Sequence, residues 1–283
     1  MDFQKIVQGI GSLGHNIYDF AFYDGNAIYT HNFQPCNRCN NSYSVAKAFV
    51  MTALGFLRDE GRFNVSDPII QYFSDELPGN IDPKWQSVTV EHVITHRIGF
   101  DCGFLDIDTD DIQAYLTDDY LQLVFGHPLV FTPGEHSQYS DAAYYLLSRL
   151  VTALSQEKLD TFLLKRLLRP MQFTEVAWSR CPREYPIGAT GLYISTEDML
   201  KLGMLYLNDG IYQGVRYVSR QWVEKAITCD YELHSMSAGG WIGKGGMYGQ
   251  AVVFHRGKHF AAAWHGHDKN GCNKSVLSYL DTI

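Results

Sequence analysis

The chain has 283 residues, of which 46% are hydrophobic and 19% charged, so it contains enough apolar material for a buried core and its composition excludes intrinsic disorder. The formal net charge is −8 at pH 7, and no cluster of Lys and Arg offsets it, which argues against a nucleic-acid partner. No run approaches the roughly 18 apolar residues that a membrane helix requires, so we expect no membrane partner either.

Cysteine usage and the start of the chain bear on location. The first twenty residues lack the basic, apolar and small-residue regions of a signal peptide, and the cysteines are scattered along a chain long enough to fold without disulfides. We therefore expect reduced cysteines and a cytoplasmic protein. A chain whose export signal has been removed would show the same pattern, and that alternative stays open.

The first predicted elements are strands, followed by a buried helix. Residues 17–33 form two aromatic and β-branched runs on either side of Asp24-Gly25, a pattern typical of a hairpin. Residues 44–60 are almost wholly apolar and are followed by Gly61, which predicts a buried helix. Between about residues 62 and 180 few strands are expected, and the predicted helices span about 91–96, 110–124, 141–155 and 158–168.

The last third of the chain returns to strands. Helices are predicted near 196–208 and 219–227, and strand-like runs at 239–244, 250–255 and 259–264. Strands at both ends with helices between them predict an α+β fold, in which an antiparallel sheet is flanked by helices and the first hairpin joins the last strands. We expect a single domain with a sheet lobe of about residues 1–43 and 185–283 and a mainly helical lobe of about residues 44–184.

Ser44 and Lys47 are the first candidates for chemistry. Side chains three residues apart on a helix lie on one face, so the Lys47 amine can reach the Ser44 hydroxyl. A serine hydroxyl needs a base to become a good nucleophile, and an apolar environment makes a lysine amine easier to deprotonate. On these two residues alone, a capping serine and a solvent-directed lysine remain the more frequent explanation.

Two further motifs follow in order. Tyr139-Ser140-Asp141 stands at the entry to a predicted helix, and Lys244-Gly245-Gly246 stands at the end of a predicted strand. A Ser-x-x-Lys motif followed by a polar triplet and a Lys-x-Gly triplet is typical of class A β-lactamases and penicillin-binding proteins. With these motifs, the chain resembles the serine β-lactamase and penicillin-binding-protein superfamily, nearest its class C, esterase and dipeptidase-like branch. The resemblance extends to residues 60–73, 91–100, 131–151 and 188–226.

The resemblance implies a β-lactamase/transpeptidase-like fold and a role for each motif. Ser44 is the expected nucleophile that carries the acyl group, and Lys47 is its partner. Tyr139 is expected to pass the proton to the leaving group, which requires nearby cations to stabilise its phenolate. Lys244 is expected to supply that positive charge and to orient the substrate. The backbone N–H groups of Ser44 and Met247 are expected to form the oxyanion hole.

Two residues depart from the family pattern. The second triplet usually ends in Asn, whose amide both donates and accepts, whereas Asp141, when ionised, can only accept hydrogen bonds and would hold Lys47 protonated. Asp141 could instead pair with a substrate amine or be neutral. The third triplet usually has Thr or Ser in the middle, where its hydroxyl helps bind a substrate carboxylate, whereas Gly245 has no side chain. Asp141 and the segment Gly245, Gly246 and Met247 are therefore predicted to bind substrate, and Gly245 favours esters, or amides without that carboxylate.

Other patterns have simpler explanations. His92 and His96 have metal-ligand spacing, but the Glu expected between them is absent, and a structural role is favoured. His265-Gly-His267-Asp268 is one residue too short for a metallohydrolase motif and is interpreted as a surface loop. Cys36 and Cys39 lack the second pair of a zinc ribbon and are interpreted as a loop before the active-site helix. The acidic segment 101–119 is interpreted as solvated, with a preference for cationic substrates as the alternative hypothesis.

The sequence thus predicts a serine hydrolase that cleaves a small ester, amide or peptide-like substrate through an acyl-Ser44 intermediate, without metal or organic cofactor. Three alternatives stay open. The chain could be a catalytically silent binding or sensor protein of the same fold, a β-lactamase or D-Ala-D-Ala peptidase, or a metallohydrolase built on its histidines.

Overall fold

The computed structural model describes residues 2–283. The helices in chain order are α1 Phe3–Ser12, α2 Ala46–Asp59, α3 Val90–Ile94, α4 Tyr120–Gly126, α5 Asp141–Ser155, α6 Leu159–Leu163, α7 Thr196–Leu207, α8 Arg220–Thr228 and α9 Asn273–Leu280. The strands are β1 Ile17–Tyr23, β2 Ile28–Asn32, β3 Asn40–Asn41, β4 Val176–Trp178, β5 Leu192–Ile194, β6 Ile211–Tyr212, β7 Val215–Arg216, β8 His234–Ser235, β9 Ile242–Gly245, β10 Ala251–His255 and β11 Phe260–Gly266.

The chain forms two compact units. The sheet unit comprises the chain up to Phe49 together with Leu167–Ala177 and Leu192–Ile283. The helical unit comprises Val50–Arg166 and Trp178–Gly191. A sheet-rich part assembled from both ends of the chain and a helical part from its middle confirm the predicted α+β class.

A six-stranded antiparallel sheet is the centre of the sheet unit. Its strand order is β2-β1-β11-β10-β9-β8, so the predicted first hairpin does join the last strands of the chain. Phe20 of β1 lies opposite Trp264 of β11, and both side chains are buried. Because side chains alternate along a strand, the face that carries these residues is apolar. The cluster that covers it includes Ile6 and Ile10 of α1 and Val276 and Leu280 of α9.

The N-terminal segment differs from the prediction that the chain opens with strands. It forms α1, whose side chains Ile6, Val7 and Ile10 are buried at helical spacing. Asp2 caps the helix, since its side chain accepts a hydrogen bond from the backbone N–H of Lys5. The short apolar stripe of α1 is stabilised by packing on the sheet, which is a tertiary effect.

The helical unit contains α3 to α6. Helix α5 has the predicted bounds and is buried along nearly its whole length, and it ends at Gln156, which has a left-handed backbone with φ of 62°. The helix predicted over 110–124 is wrong for its first half. The Asp119 side chain accepts from the N–H of Leu121 at 3.1 Å, so α4 begins only at Tyr120, after a short 3₁₀ turn at Ile112–Ala114.

Membrane insertion was not expected from the sequence. Across residues 2–283, each helix is too short or too polar to span a bilayer.

Candidate active site

Ser44 and Lys47 lie where a 3₁₀ turn, Tyr43–Val45, leads into α2. The Lys47 Nζ donates a hydrogen bond to the Ser44 Oγ across 3.2 Å, which is the contact expected from their spacing. Lys47 is fully buried and Ser44 half-buried. The pair therefore joins an accessible hydroxyl to an amine inside the protein.

The backbone before Ser44 is held in an uncommon conformation. Tyr43 has a positive φ of 47°, a region that residues other than glycine seldom occupy. Its N–H donates to the Asn41 Oδ1 at 2.9 Å, and the N–H of Ser42 donates to the carbonyl of Leu192 in β5 at 2.8 Å. These bonds anchor the turn to the small sheet of β3, β5 and β4, and they set the position from which Ser44 projects.

The end of β9 packs directly against this turn. A Cβ atom on Gly246 would lie only 2.6 Å from the Ser42 carbonyl oxygen, so the residue at this position must be glycine for the two backbones to approach so closely. The rings of Tyr43 and Tyr248 are in contact, with centroids 5.4 Å apart. The predicted oxyanion-hole segment at Met247 thus lies beside the turn that carries Ser44.

Lys244 on β9 is paired with a carboxylate that the sequence analysis missed. Both Lys244 and Glu232 are buried, with 6% and 1% of their surface exposed, and the Lys244 Nζ contacts the Glu232 Oε2. The carboxylate charge offsets part of the positive charge that Lys244 presents to other groups. No spacing rule links residues twelve apart on different segments, so the motif gave no signal for Glu232.

A histidine extends this ion pair towards the surface. The His234 Nε2 lies 3.5 Å from the Glu232 Oε2, and its Nδ1 lies 2.6 Å from the Asp230 Oδ1. The pKa of His234 is raised, chiefly by its hydrogen bond with Glu232 and further by Asp230, against the opposing effects of burial and of the Lys244 charge. The imidazole therefore holds its proton to higher pH than a free histidine.

The structure explains why position 245, the second departure from the family pattern, is a glycine. A Cβ atom there would lie 2.8 Å from the Asn273 Nδ2. Asn273 is fixed in place, because its Oδ1 accepts from the Trp264 Nε1 and its Nδ2 donates to the Gln250 carbonyl, both at 3.0 Å. A threonine or serine at this position would have to displace the Asn273 side chain.

Tyr139 and Asp141 belong to the helical unit. Tyr139 is 46% exposed, and its ring packs on His96, with centroids 4.4 Å apart. The backbone around Tyr139 is held by the same histidine: the His96 Nδ1 accepts from the N–H of Ser140 at 3.3 Å, and its carbonyl accepts from the N–H of Gln138 at 2.8 Å. Asp141 is the first residue of α5 and only 7% exposed.

The rival histidine pair has separate structural roles, as predicted. His92 forms a capping box with Thr89 at the start of α3, and burial is the main cause that lowers its pKa. Helix α3 ends at Ile94, and His96 follows it with a left-handed φ of 57°. The two histidines therefore do not lie on one helix, as the i, i+4 metal-binding pattern requires.

The interpretation of residues 265–268 as a surface loop is wrong for His265. This residue lies on β11 and is fully buried, with its Nδ1 2.6 Å from the Thr196 Oγ1 and 3.7 Å from the Asp19 Oδ1. His267 and Asp268 follow the strand. The three side chains therefore do not form one cluster.

Cys39 does not have the properties of a reactive thiol. Burial is the main cause that raises its pKa to about 11, and its hydrogen bond to the Glu175 carboxylate, at 3.4 Å, acts in the same direction. Burial also raises the pKa of Cys36. The thiolate is disfavoured at both positions, which agrees with their interpretation as a structural loop.

The acidic segment is less solvated than expected. Asp119 caps α4, is only 7% exposed, and pairs with Arg183 at 2.7 Å. Asp110 accepts from the Tyr115 hydroxyl at 2.7 Å and from the N–H of Asp106 at 3.0 Å. These carboxylates shape the loop, and a role in attracting cationic substrates remains a hypothesis.

Comparisons with known proteins show the family and the fold of this chain. Residues 41–271 match the sequence model of the Beta-lactamase family. An uncharacterised protein of Mycobacterium tuberculosis is 24% identical over 260 residues, which cover 71% of this chain and 63% of the relative, so the chain spans less than two thirds of that relative's length.

Solved structures show the same fold. The octameric penicillin-binding protein homologue from Pyrococcus abyssi superposes with a TM-score of 0.74 at 18% identity, covering 99% of this chain and 76% of that one. The D-stereospecific amidohydrolase from Streptomyces sp. superposes with a TM-score of 0.73 at 16% identity, covering 98% of both chains. Because the family match covers most of the chain and includes Ser44, Lys47 and Lys244, the chain belongs to the Beta-lactamase family, whose members are generally hydrolases.

Proposed function

We propose that this protein is a serine hydrolase that cleaves a small ester or amide through an acyl-Ser44 intermediate. The observation that carries the proposal is the 3.2 Å contact between the Ser44 Oγ and the fully buried Lys47 Nζ. In the structure, the Lys47 Nζ donates to the Ser44 hydroxyl. Transfer of the hydroxyl proton to a neutral amine uses the same contact in the opposite direction.

Acylation begins with attack of the Ser44 Oγ on the substrate carbonyl carbon, as its proton passes to Lys47 or to Tyr139. The bond to the leaving alcohol or amine then breaks, and Tyr139 returns a proton to the leaving group. Water hydrolyses the acyl-serine ester, which releases the acid and restores the Ser44 hydroxyl. The role of Tyr139 is carried over from the family pattern, and its 46% exposure is compatible with a group that exchanges protons with a substrate.

Negative charge develops on the carbonyl oxygen during attack, and backbone N–H groups are the proposed donors to it. The packing of Gly246 on the Ser42 carbonyl supports this assignment, because it holds the Met247 segment beside the nucleophile's turn. A donor of this kind typically contributes about 2.7–4 kcal/mol to the stability of the transition state. The proposed donors are the N–H groups of Ser44 and Met247.

The substrate class follows from Gly245. A hydroxyl side chain at this position would help to bind a substrate carboxylate, and here Asn273 occupies the neighbouring space. We therefore propose esters, or amides without that carboxylate, in preference to β-lactams or D-Ala peptides. The amide-cleaving activity named for the Streptomyces structure is compatible with this choice.

The decisive experiment is labelling of Ser44. The protein is incubated with a fluorophosphonate or a p-nitrophenyl ester, and the modified residue is located by mass spectrometry. We expect an adduct on Ser44 and release of nitrophenol. Ser44→Ala should lose about 10⁶-fold in turnover, whereas Ser12→Ala, which changes an exposed serine on α1, should keep it. Undiminished hydrolysis by Ser44→Ala would refute the proposal.

One observation favours a second candidate, a catalytically silent binding or sensor protein. Glu232 reduces the positive charge that Lys244 presents, and Asp141 adds a further carboxylate to the predicted site residues. Absence of both the adduct and nitrophenol would support this candidate. The variant Asp141→Asn then tests whether the Asp141 charge is the cause of the missing activity. Faster acylation by this variant would show that the charge opposes proton transfer from Ser44.

The cytoplasmic location and the small-molecule partner also remain proposals. Fractionation of the native cells tests the location. A panel of acyl substrates with matched cationic, neutral and anionic ends tests the partner, and faster turnover of the anionic members would contradict a role of the acidic segment 101–119 in attracting substrate.

A further inference from the structure

A second cluster of reactive side chains lies in the helical unit. The Asp101 carboxylate, the Cys102 thiol and the His127 imidazole each offer one ligand atom, and these atoms all lie within 4.8 Å of one another. The His127 Nε2 is 3.3 Å from the Asp101 Oδ1 and 4.0 Å from the Cys102 Sγ. We propose that these three residues form a zinc-binding site within the helical unit.

The nitrogen–oxygen distance fits tetrahedral coordination, and the nitrogen–sulfur distance is slightly long for it. With Zn–N and Zn–O bonds of about 2.1 Å and a Zn–S bond of about 2.3 Å, the tetrahedral angle places nitrogen about 3.4 Å from oxygen and about 3.6 Å from sulfur. The nitrogen–oxygen distance here is 3.3 Å, and the nitrogen–sulfur distance of 4.0 Å needs a shift of a few tenths of an ångström. Cys102 is exposed, so its side chain can make that shift.

The imidazole is already oriented. The His127 ring stacks on Phe104, with centroids 4.2 Å apart and planes at 16°, and Phe100 meets it edge-on at 5.2 Å. The loop that carries Asp101 and Cys102 is tied down just beyond the ligands, because the N–H of Phe104 donates to the Ser140 Oγ at 3.3 Å. Ligands held on packed residues lose less conformational entropy when they bind an ion.

The donor set selects the metal. Thiolate and imidazole together favour zinc and similar ions, whereas Ca²⁺ requires six or more oxygen ligands and Mg²⁺ an octahedron of them. Burial and the neighbouring Asp101 carboxylate raise the pKa of the free Cys102 thiol, so the ion itself must displace the thiol proton to solvent before Cys102 bonds through the thiolate. The charges of the thiolate and of the Asp101 carboxylate then balance the two charges of the ion. Water completes the fourth position, as in other zinc sites with three protein ligands.

Cobalt titration tests the proposal directly. The full-length, untagged and reduced protein with Ser44→Ala is titrated with Co²⁺ under nitrogen, so that the result does not depend on hydrolytic activity. We expect one equivalent of Co²⁺ to produce a near-ultraviolet thiolate-to-cobalt band together with the visible bands of tetrahedral cobalt. Zn²⁺ should remove both sets of bands. Absence of the thiolate band would overturn the proposal.

Ligand variants identify the residues. Cys102→Ser should abolish the thiolate band, and Asp101→Asn and His127→Ala should each weaken Co²⁺ binding at least tenfold. Cys229→Ser changes another exposed cysteine and should bind as the parent does. Because Asp101 is exposed, Asp101→Asn should fold as the parent does. It therefore tests the site even if His127→Ala fails to fold. The assignment would be contradicted if the thiolate-to-cobalt band survived in Cys102→Ser. It would also be contradicted if Cys229→Ser lost that band instead.

Discussion

Replacing Glu232 by Gln removes the carboxylate that accompanies Lys244 while nearly preserving its shape. The side chains of Glu232 and Lys244 are 2% and 7% exposed, so the variant leaves an ammonium in the protein interior without this partner. Two opposite unit charges about 4 Å apart attract by about 4 kcal/mol at an effective dielectric constant of about 20, and the attraction grows at closer contact. Breaking a buried pair by removing one partner typically costs 3–5 kcal/mol. We expect Glu232→Gln to lower the free energy of unfolding by about 3–5 kcal/mol.

The assay is urea unfolding at pH 7, followed by circular dichroism. Adding Lys244→Met to Glu232→Gln removes the stranded charge, and the double variant should recover at least half of the loss. The control is Glu157→Gln, which breaks a partly exposed pair with Lys165 and should cost less than about 1 kcal/mol. The reasoning would be refuted if Glu232→Gln lost no more free energy of unfolding than this control. It would also be refuted if the effects of Glu232→Gln and Lys244→Met on that free energy were strictly additive.

Three further predictions follow from the sheet unit. Gly245→Ser should lower the free energy of unfolding by about 1–3 kcal/mol, because it displaces the hydrogen-bonded Asn273 side chain, and the penalty should shrink in an Asn273→Ala background, as measured by urea unfolding. Gly246→Ala should lower kcat for a p-nitrophenyl ester about 10²-fold with the overall circular dichroism unchanged, because its Cβ forces two backbones apart. The raised pKa of His234 stabilises the fold below the ordinary histidine value of about 6.5, and this contribution is lost as pH rises through the higher native value. Between about pH 6 and 8, the free energy of unfolding of His234→Gln should therefore fall less than that of the parent protein. An equal fall in both proteins would contradict this prediction.

Local patterns predicted much of the fold. The hairpin around Asp24-Gly25 and helix α5 were evident from alternation and from helical periodicity, and the pairing of β1 with β11 followed from having strands at both ends of the chain. The prediction failed where one side chain decides a boundary. The Asp119 cap starts α4 ten residues later than the acidic, weakly periodic segment suggested.

The candidate site was predictable only where its residues are neighbours in sequence. The contact between Ser44 and Lys47 follows from helical spacing. By contrast, the pairing of Glu232 with Lys244 depends on how the segment before β8 meets β9, and the cluster of Cys102 with His127 depends on how a loop meets the end of α4. Such contacts are set by tertiary packing, which no local pattern records.

The Gly245–Asn273 contact also constrains how this protein can change. A hydroxyl residue at position 245 is incompatible with Asn273 in its present place, so a lineage that gained the hydroxyl first would pass through a destabilised intermediate. A displacement or loss of the Asn273 side chain must accompany the gain of Thr or Ser. The gain of a hydroxyl at position 245 is therefore coupled to the residue at position 273, and selection on single substitutions would tend to keep Gly245 in place.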